Sequence, residues 1–347
     1  MHTVTPCSTE WPSFELFLPV DDHHSREYVA EFLPAFQAFW PVEKVPIRLV
    51  LDAETSWQKL ANRLNASQPA LFSVNKRPAN YSGLGHDRQQ LIMFWADNYT
   101  TADYIGFIDS DAALITKIHP YDIFREDFKP IVRGIFGIST WYGHQDWAKY
   151  TFMATGLKEI GIGMSYFPFV VKTSDFAMIR SKIAQHMGMD FNTAFAHLAK
   201  VAGKGRFSQF NIIITLLYYY RRDSYDFRMR ELPLDSTLYP WGNKPGPFVP
   251  TFLESDLPRL YVEPHLSVHW KWDHGLYKSN MSLMILEGTC LSNCDTTSAS
   301  CQQFSTQSIR RAEYQFDRLY FGNTGPPGRA LKVFQDRYAT YCACSNK

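Results

Sequence analysis

The feature that most constrains the fold is an alternation of short apolar runs with longer amphipathic segments over the first 120 residues. The runs predict strands, and the segments between them predict helices. The predicted strands are Phe14–Val20, Ile47–Leu51, Ala70–Val74 and Tyr104–Ile108, and the predicted helices are Ser25–Phe39, Ser56–Leu64 and Asp87–Asn98. Strands that alternate with helices form a parallel sheet with helices packed on it. The predicted fold class is therefore α/β, with a mostly parallel central sheet flanked by helices.

The second half of the chain has a mixed pattern. Its predicted strands are Ile131–Ile138, Tyr166–Val171 and Leu260–Trp270, and its predicted helices are Ser174–Met187 and Phe207–Arg221. Pro and Gly are dense from Pro233 to Pro258, which predicts a long loop, and a short final helix is expected near the carboxyl terminus. The predicted organisation is one domain over residues 1–275, divided into halves at 14–120 and 121–275, and a cysteine-containing extension over 276–347.

Charge and hydropathy exclude two kinds of partner. The formal net charge is +1, and no Lys/Arg block exceeds a pair such as Arg221-Arg222, so the chain lacks the basic surface of a nucleic-acid-binding protein. The longest apolar run, Ile212–Tyr220, is far shorter than the roughly 18 to 20 residues that span a bilayer. We therefore expect no nucleic acid and no membrane span in this chain.

Cysteines and glycosylation sequons bear on the compartment. Five of the six cysteines cluster in the last fifth of the chain; the six are Cys7, Cys290, Cys294, Cys301, Cys342 and Cys344. They are consistent with a disulfide-linked tail, a zinc site or free thiols. Sequons, which are used only in the secretory pathway, occur at Asn65, Asn80, Asn98 and Asn280. Together the cysteines and sequons predict a Golgi or other secretory lumen, and because the amino terminus has no signal-peptide features, the cytoplasm is the alternative.

Two aspartates follow the most apolar of the predicted strands. Asp109 and Asp111 are one residue apart, with Ser110 between them, in the segment Tyr104–Leu114. Two carboxylates at a strand end can bind one hard cation, Mn²⁺ or Mg²⁺, whose other ligands are diphosphate oxygens and water. The alternative is a pair of solvated turn residues, but ionised groups so close to apolar sequence are costly unless a cation neutralises them. The pattern therefore predicts a metal-diphosphate site.

A D-x-D motif that follows an α/β half resembles the GT-A glycosyltransferases, and the likeness covers roughly residues 14 to 275. It implies a Rossmann-like nucleotide-sugar-binding half over 14–120 and an acceptor half over 121–275. It also implies that Asp109, Ser110 and Asp111 contact the donor, and that the two aspartates hold Mn²⁺ or Mg²⁺.

A second segment, Ser208-Gln209-Phe210-Asn211-Ile212, resembles the D-Q-D-x-L-N stretch of the retaining family-8 enzymes, with Ser208 and Phe210 in place of its acidic residues. The resemblance implies that Gln209 lies beneath the anomeric carbon of the donor. An inverting enzyme needs a carboxylate base instead, for which Asp175 is the candidate. The structural alternatives are a polar residue at the start of a buried helix for Gln209 and a helix-capping position for Asp175.

A third segment, Val262–Gly275, is similar to the late His and Lys segment of those enzymes. The resemblance implies that His269 is the third metal ligand and that Lys271 pairs with the diphosphate. His265 and His274 remain alternatives for the metal ligand.

Two further sets of residues are expected at the site. Asp87 and Arg88 open the helix before the D-x-D strand, where GT-A enzymes commonly place residues that contact the donor, although a helix cap and a solvated arginine are equally ordinary. The segment Trp141–Trp147 combines flat rings with polar groups and is a candidate acceptor site or interface patch.

These residues predict an enzyme that transfers a hexose or pentose from a nucleotide-sugar, UDP-linked donor to a hydroxyl of a glycan or glycoconjugate. One alternative is a Mg²⁺-dependent phosphatase of the haloacid dehalogenase type, whose D-x-D motif lies on its first strand, whereas here it follows the fourth predicted strand. Another is a non-catalytic sugar-binding module with a transferase-like fold.

Overall fold

The computed structural model describes about half of the chain. The described residues are 11–20, 36, 40–41, 44–51, 72–76, 85–109, 112–114, 118–136, 145–163, 167–203, 206–231 and 267–269.

The described residues form ten strands and six α-helices. The strands are β1 (Phe14–Val20), β2 (Ile47–Leu51), β3 (Phe72–Lys76), β4 (Tyr104–Phe107), β5 (Ala112–Leu114), β6 (Ile131–Phe136), β7 (Gly161–Ile162), β8 (Phe169–Lys172), β9 (Asp226–Glu231) and β10 (Ser267–His269). The α-helices are α1 (Gly85–Phe94), α2 (Pro120–Ile123), α3 (Gln145–Thr155), α4 (Asp175–Met187), α5 (Phe191–Ala202) and α6 (Gln209–Arg221).

The central sheet has five strands in the order β3-β2-β1-β4-β8. The first four of these are parallel, and β8 is antiparallel to β4 at the edge. Leu16 of β1 lies opposite Gly106 of β4, and Val170 of β8 lies opposite the same glycine on the other side. This architecture confirms the predicted α/β class with a mainly parallel sheet and flanking helices.

Two smaller sheets accompany the central one. In the first, β6 pairs in parallel with β9 and antiparallel with β7. In the second, β5 pairs antiparallel with β10, so two segments more than 150 residues apart in sequence lie side by side. This mixed arrangement agrees with the mixed sequence pattern of the second half.

The core continues from the sheet into the helices. The strand β1 is buried along its length except at Glu15, as expected of a strand covered on both faces. The helix α6 is buried from Gln209 to Tyr218, which means that it is covered all around and not along one stripe. Rings of Phe107, Phe169 and Phe210 meet edge to face between sheet and helix.

Some predicted bounds of strands and helices agree with the structure, and others do not. The predicted bounds of β1 and β2 are correct, whereas β3 lies two residues later than predicted. The helix predicted over Asp87–Asn98 is an α-helix to Phe94 and then a 3₁₀ turn, Ala96–Asn98. The helices α3 and α5 were missed. The predicted helices Ser25–Phe39 and Ser56–Leu64, the predicted loop and the cysteine-containing extension lie outside the described residues.

Among the helices that the structure describes, none is both long enough and apolar enough to cross a membrane.

Gly106 allows β1 and β4 to pack under the ring of Phe14. A Cβ atom at position 106 would lie 2.6 Å from Cζ of Phe14 and 3.4 Å from Cδ1 of Leu16. The Phe14 ring cannot move away easily, because it packs edge to face on Phe124 with centroids 5.4 Å apart. Glycine is therefore required at this position by a close approach.

We expect Gly106→Ala to lower the free energy of unfolding by about 1–3 kcal/mol, because the added methyl group overpacks the core. Gly163→Ala is the matched control, since its Cβ would meet the nearest heavy atom, the backbone oxygen of Phe210, at 3.4 Å. Urea unfolding followed by circular dichroism measures both. Equal stability of Gly106→Ala and the wild-type chain would contradict this account of the β1–β4 packing.

Candidate functional site

The strand order places a topological switch point between β1 and β4. β1 has β2 on one side and β4 on the other, so the connections leaving β1 and β4 diverge at their carboxyl ends. Ligands of open α/β sheets bind in the crevice that forms there. Pairing extends past the end of β4, because the Ile108 amide donates to the Phe17 carbonyl at 3.3 Å. Asp109, half-buried, is the next residue and lies at this edge.

A backbone hydrogen bond links Asp109 to the start of the next strand. The Ala112 amide donates to the Asp109 carbonyl at 3.0 Å, and Ala112 begins β5. In the antiparallel pair of β5 with β10, His269 lies opposite Ala112. The backbone of His269 therefore lies opposite the residue that follows Asp111 in the sequence. The residues Ser110, Asp111 and Lys271, and the alternative ligands His265 and His274, lie outside the described residues.

Metal ligation by a complete set of side chains is not visible in the described part of the chain. No group of three His, Cys, Asp or Glu side chains there is close enough to hold a metal ion. Of the three predicted ligands, only Asp109 has a described side chain, and His269 is described by its backbone alone. The predicted metal site therefore stays a prediction.

The amino terminus of α6 lies at the same edge as Asp109. Phe210, in its first turn, packs on Phe107 and Phe169 with ring centroids 6.3 Å and 5.6 Å apart. Phe107 and Phe169 are opposite each other in the β4–β8 register, two residues before Asp109. The hydroxyl of Ser208 caps the helix by accepting from the Asn211 amide at 3.4 Å. The positive end of the α6 dipole therefore lies near the carboxyl ends of the strands.

Gln209 is the first residue of α6 and is only 7% exposed. Its Nε2 donates to Sδ of Met93, on α1, at 3.0 Å. A thioether is a weak acceptor, so this contact holds the amide in place without satisfying it strongly. The predicted position of Gln209 at the start of a buried helix is correct, and its predicted role beneath a donor sugar stays a prediction.

The first turn of α1 also lies at the carboxyl ends of the strands. A helix between parallel strands runs antiparallel to them, so the start of α1 lies at the carboxyl ends. Asp87 is 5% exposed, and its Oδ1 has no hydrogen-bond partner among the described residues. Nδ1 of His86 lies 3.8 Å from Oδ1. Arg88, the other residue predicted here, is half-buried.

Sequence reasoning missed Gln90, which lies one turn after Asp87 on the same face of α1. Gln90 is 2% exposed, and its Nε2 donates to the Phe207 carbonyl at 3.2 Å, just before α6. Its Oε1 has no partner within the described part of the chain. The i, i+3 spacing from Asp87 was the signal that could have identified it.

Asp175 lies at the other end of the strands, near the amino-terminal end of β4. Lys172 at the end of β8 is opposite Tyr104, the first residue of β4, so Asp175 is separated from Asp109 by the length of that strand. At about 3.3 Å per residue, this is roughly 17 Å. Asp175 is 4% exposed, and its oxygens accept from Arg221 Nε at 2.9 Å and from the Tyr225 hydroxyl at 2.7 Å. The structure therefore does not bring Asp175 to Asp109, and both of its oxygens are engaged in packing α4 against the end of α6.

The segment Trp141–Trp147 is described only from residue 145 onward. Within it, Trp147 is buried on α3 as a core residue. Asp146 lies 3.7 Å from Nη1 of Arg206, in an exposed ion pair. Its predicted role as an acceptor site stays a prediction.

The Tyr225 hydroxyl connects Asp175 to the sheet, because it also accepts from the Lys172 amide at 2.9 Å. Burial, and to a lesser extent the Asp175 carboxylate, raise the pKa of this hydroxyl well above its ordinary value. The unfolded chain releases the proton first as pH rises. The protonated Tyr225 hydroxyl therefore contributes fully to the free energy of unfolding below about pH 10, the ordinary tyrosine pKa. That contribution is lost as pH rises toward the pKa of Tyr225 in the folded chain.

We expect Tyr225→Phe to lower the free energy of unfolding at neutral pH by about 1–3 kcal/mol, because it leaves a buried carboxylate oxygen without its donor. The difference from the wild-type chain should shrink above about pH 10. Tyr220→Phe, at an exposed tyrosine, is the control and should have little effect. A difference between Tyr225→Phe and wild type that grows with alkaline pH would contradict the assignment.

Comparison with known proteins gives only distant structural likenesses. No protein-family model matches the chain, and no curated protein matches its sequence. The structure of S. aureus TarS in complex with UDP-GlcNAc is 20% identical over 29% of this chain and 27% of that one, with a TM-score of 0.23. The glycosyltransferase GlyE of Streptococcus pneumoniae is 10% identical over 62% of this chain and 44% of that one, with a TM-score of 0.32.

A third solved structure, an active-site mutant of LgtC, is 11% identical over 56% of this chain and 71% of that one, with a TM-score of 0.32. The matched regions cover less than half of the TarS and GlyE chains. These identities and TM-scores are too low to assign an activity, which has to come from the site itself.

Proposed function

We propose that the protein is a metal-dependent glycosyltransferase that moves a sugar from a UDP-linked donor to a hydroxyl of a glycan or glycoconjugate. The observation that carries this proposal is the position of Asp109 at the switch point between β1 and β4. Nucleotides bind open α/β sheets at that point, and a D-x-D pair there supplies carboxylate oxygens for the cation of a diphosphate.

The residues around Asp109 suit Mn²⁺ or Mg²⁺. Carboxylates are hard ligands that both cations accept, and the imidazole of a histidine is well suited to Mn²⁺. The antiparallel register sets His269 opposite Ala112, the residue that follows Asp111 in the sequence. Asp109, Asp111 and His269 would hold the ion. Once bound, the cation neutralises the charge that develops on the departing diphosphate.

The other groups at this edge would orient the donor and support the leaving group. Lys271, two residues after His269, would pair with the diphosphate as a compact charge. Ser110, with Asp109 and Asp111, would contact the nucleotide. Gln209 lies in the first turn of α6, where the helix dipole favours negative charge, and would lie beneath the anomeric carbon.

The reaction exchanges one bond for another at the anomeric carbon. The bond from that carbon to the β-phosphate oxygen breaks, and the acceptor oxygen forms a new bond to the carbon. The electron pair leaves with the diphosphate, and the proton of the acceptor hydroxyl passes to an oxygen of that diphosphate. Since Asp175 is held at the other edge by Arg221 and Tyr225, we do not assign it the role of base. The proposed cellular location remains a secretory lumen such as the Golgi.

We expect Asp109→Asn and Asp111→Ala each to reduce sugar transfer by on the order of 1000-fold or more, because the loss of a metal ligand removes several kcal/mol of charge stabilisation. Release of UDP from UDP-glucose, UDP-galactose and UDP-N-acetylglucosamine is measured with Mn²⁺ and with EDTA. Calorimetry of UDP binding with and without Mn²⁺ gives a second readout.

Asp103→Asn is the matched control, because Asp103 is an exposed aspartate at the opposite end of the same strand. It should retain wild-type transfer and metal-dependent UDP binding. Wild-type transfer by Asp111→Ala would contradict the proposal, and so would the absence of metal-dependent UDP release in the wild-type chain with all three donors.

A further inference from the structure

Glu159 is a buried acidic residue to which the proposed reaction assigns no part. It lies between α3 and β7 and is 1% exposed, and its Oε1 accepts from Nδ2 of Asn211 at 2.6 Å. Asn211 is fully buried in the first turn of α6. Because a carboxyl group is costly to bury without hydrogen bonds, the Asn211 amide is an important partner of Glu159.

The Asn211 side chain joins three segments of the chain. Its Oδ1 accepts from the Gly163 amide at 3.2 Å, directly after β7, and a backbone amide can only donate. This contact fixes which branch of the Asn211 amide faces Gly163, so the other branch, Nδ2, donates to Glu159. One buried side chain therefore ties the start of α6 to the residues on both sides of β7.

The same turn of α6 also meets the start of β8. Phe167, two residues before β8, packs edge to face on Phe210 with ring centroids 5.4 Å apart. Phe169, the first residue of β8, lies opposite Phe107, two residues before Asp109. The residues that surround the first turn of α6 are therefore those that border the crevice at the carboxyl end of β4.

Gln209, two residues before Asn211, is held by a weak contact of its own. Its Nε2 donates to Sδ of Met93 at 3.0 Å, and a thioether is a weak acceptor. The direction of the Gln209 side chain therefore depends on the backbone of this turn. That backbone is held by the Ser208 cap, the packing of the Phe210 ring and the hydrogen bonds of Asn211.

We infer that Glu159 is a positioning residue, which acts through Asn211 to hold Gln209 beneath the donor sugar. This inference rests on the proposed glycosyltransferase function and adds to it a residue that acts from within the core. A misplacement of about 1 Å at a reacting centre can lower the rate on the order of 100-fold. Binding of UDP through the metal ion and the diphosphate does not involve Gln209, so the loss of Glu159 should affect the rate and not UDP binding.

The test separates the rate of reaction from nucleotide binding. In Glu159→Met, a side chain of similar length removes the acceptor, and Nδ2 of Asn211 loses its partner. UDP release from UDP-glucose, UDP-galactose and UDP-N-acetylglucosamine is measured with Mn²⁺, and UDP binding is measured by calorimetry. For the donor that the wild-type chain uses fastest, kcat should fall about tenfold or more, while the affinity for UDP stays within about twofold.

Tyr225→Phe is the matched control, because it also removes one hydrogen bond to a buried carboxylate, but at the other end of the strands. It should keep the wild-type kcat, which shows that lost stability alone does not lower the rate. An unchanged kcat in Glu159→Met would overturn the inference. An equal loss of kcat in Tyr225→Phe, or a parallel loss of UDP affinity in Glu159→Met, would also overturn it.

A reciprocal exchange of the two partners tests the contact itself. Asn211→Asp sets two carboxyl groups against each other and should lower kcat at least as much as Glu159→Met. In the double variant Glu159→Gln/Asn211→Asp, the new amide can donate to the new carboxylate, which can still accept from the Gly163 amide. Its kcat should be about fivefold or more above that of Asn211→Asp. No recovery would overturn the inference, and this comparison decides it even if Glu159→Met does not fold.

Hydrogen–deuterium exchange gives a readout that needs no activity. In Glu159→Met, peptides that cover residues 159–163 and 207–212 should exchange faster than in the wild-type chain and in Tyr225→Phe. Exchange at the wild-type rate would show that Glu159 does not hold this turn, and would overturn the inference while leaving the proposed function intact. No metal-dependent UDP release by the wild-type chain would instead contradict the proposed function, and the role of Glu159 with it.

Discussion

The parallel pairing of β1 with β4 is the constraint on which the rest of the site depends. These strands are separated by more than 80 residues, and β2 and β3 lie on the far side of β1. The pairing creates the switch point, and it continues to Ile108, so that the next residue, Asp109, emerges at the crevice. It also requires glycine at position 106, where the Phe14 ring occupies the space that a side chain would fill. Packing in the centre of the sheet thus sets the position of the aspartate at its edge.

The helix α6 runs from the carboxyl end of β4 to its amino-terminal end. It has 13 residues, which at about 1.5 Å per residue is roughly 20 Å, close to the distance that separates Asp109 from Asp175 along β4. Its first turn carries Gln209 at the crevice, and its last turn carries Arg221, which pairs with Asp175 at the other edge. Two buried aspartates at opposite ends of the strands, Asp175 and Asp87, differ in their hydrogen bonding. Asp175 has both oxygens satisfied and stabilises the fold, whereas Asp87 at the crevice keeps one buried oxygen without a described donor.

The sequence predicted the central sheet well, because continuous apolar runs such as Phe14–Val20 are typical of strands covered on both faces. It was less successful at helices. The helix α5 has a capping aspartate, Asp190, and a terminal glycine, Gly203, and its buried residues recur at helical spacing, so the sequence carried a signal for this helix that was missed. The 3₁₀ turn at Ala96–Asn98 was included in the preceding helix because its composition does not distinguish the two.

For the site, the sequence identified Asp109 from its motif and Asp87 and Gln209 from a family likeness, and the structure places all three at one edge. It did not place Asp175, since only strand direction shows that the residue after an antiparallel edge strand lies at the opposite side. It also did not find Gln90, whose i, i+3 spacing from Asp87 indicates a shared helix face but whose buried amide oxygen without a donor is visible only in the structure. Residue type and spacing predict which groups are chemically competent, and burial and topology decide which of them meet.

The most direct test of the central claim is a crystal structure with Mn²⁺ and UDP, in which anomalous scattering locates the metal ion. The account predicts one strong Mn²⁺ peak at the carboxyl ends of β1 and β4, coordinated by Asp109 and bridged to the UDP diphosphate, with His269 in the same coordination shell. A Mn²⁺ ion and UDP bound at the opposite edge near Asp175, or UDP in the crevice with no metal at Asp109, would contradict it.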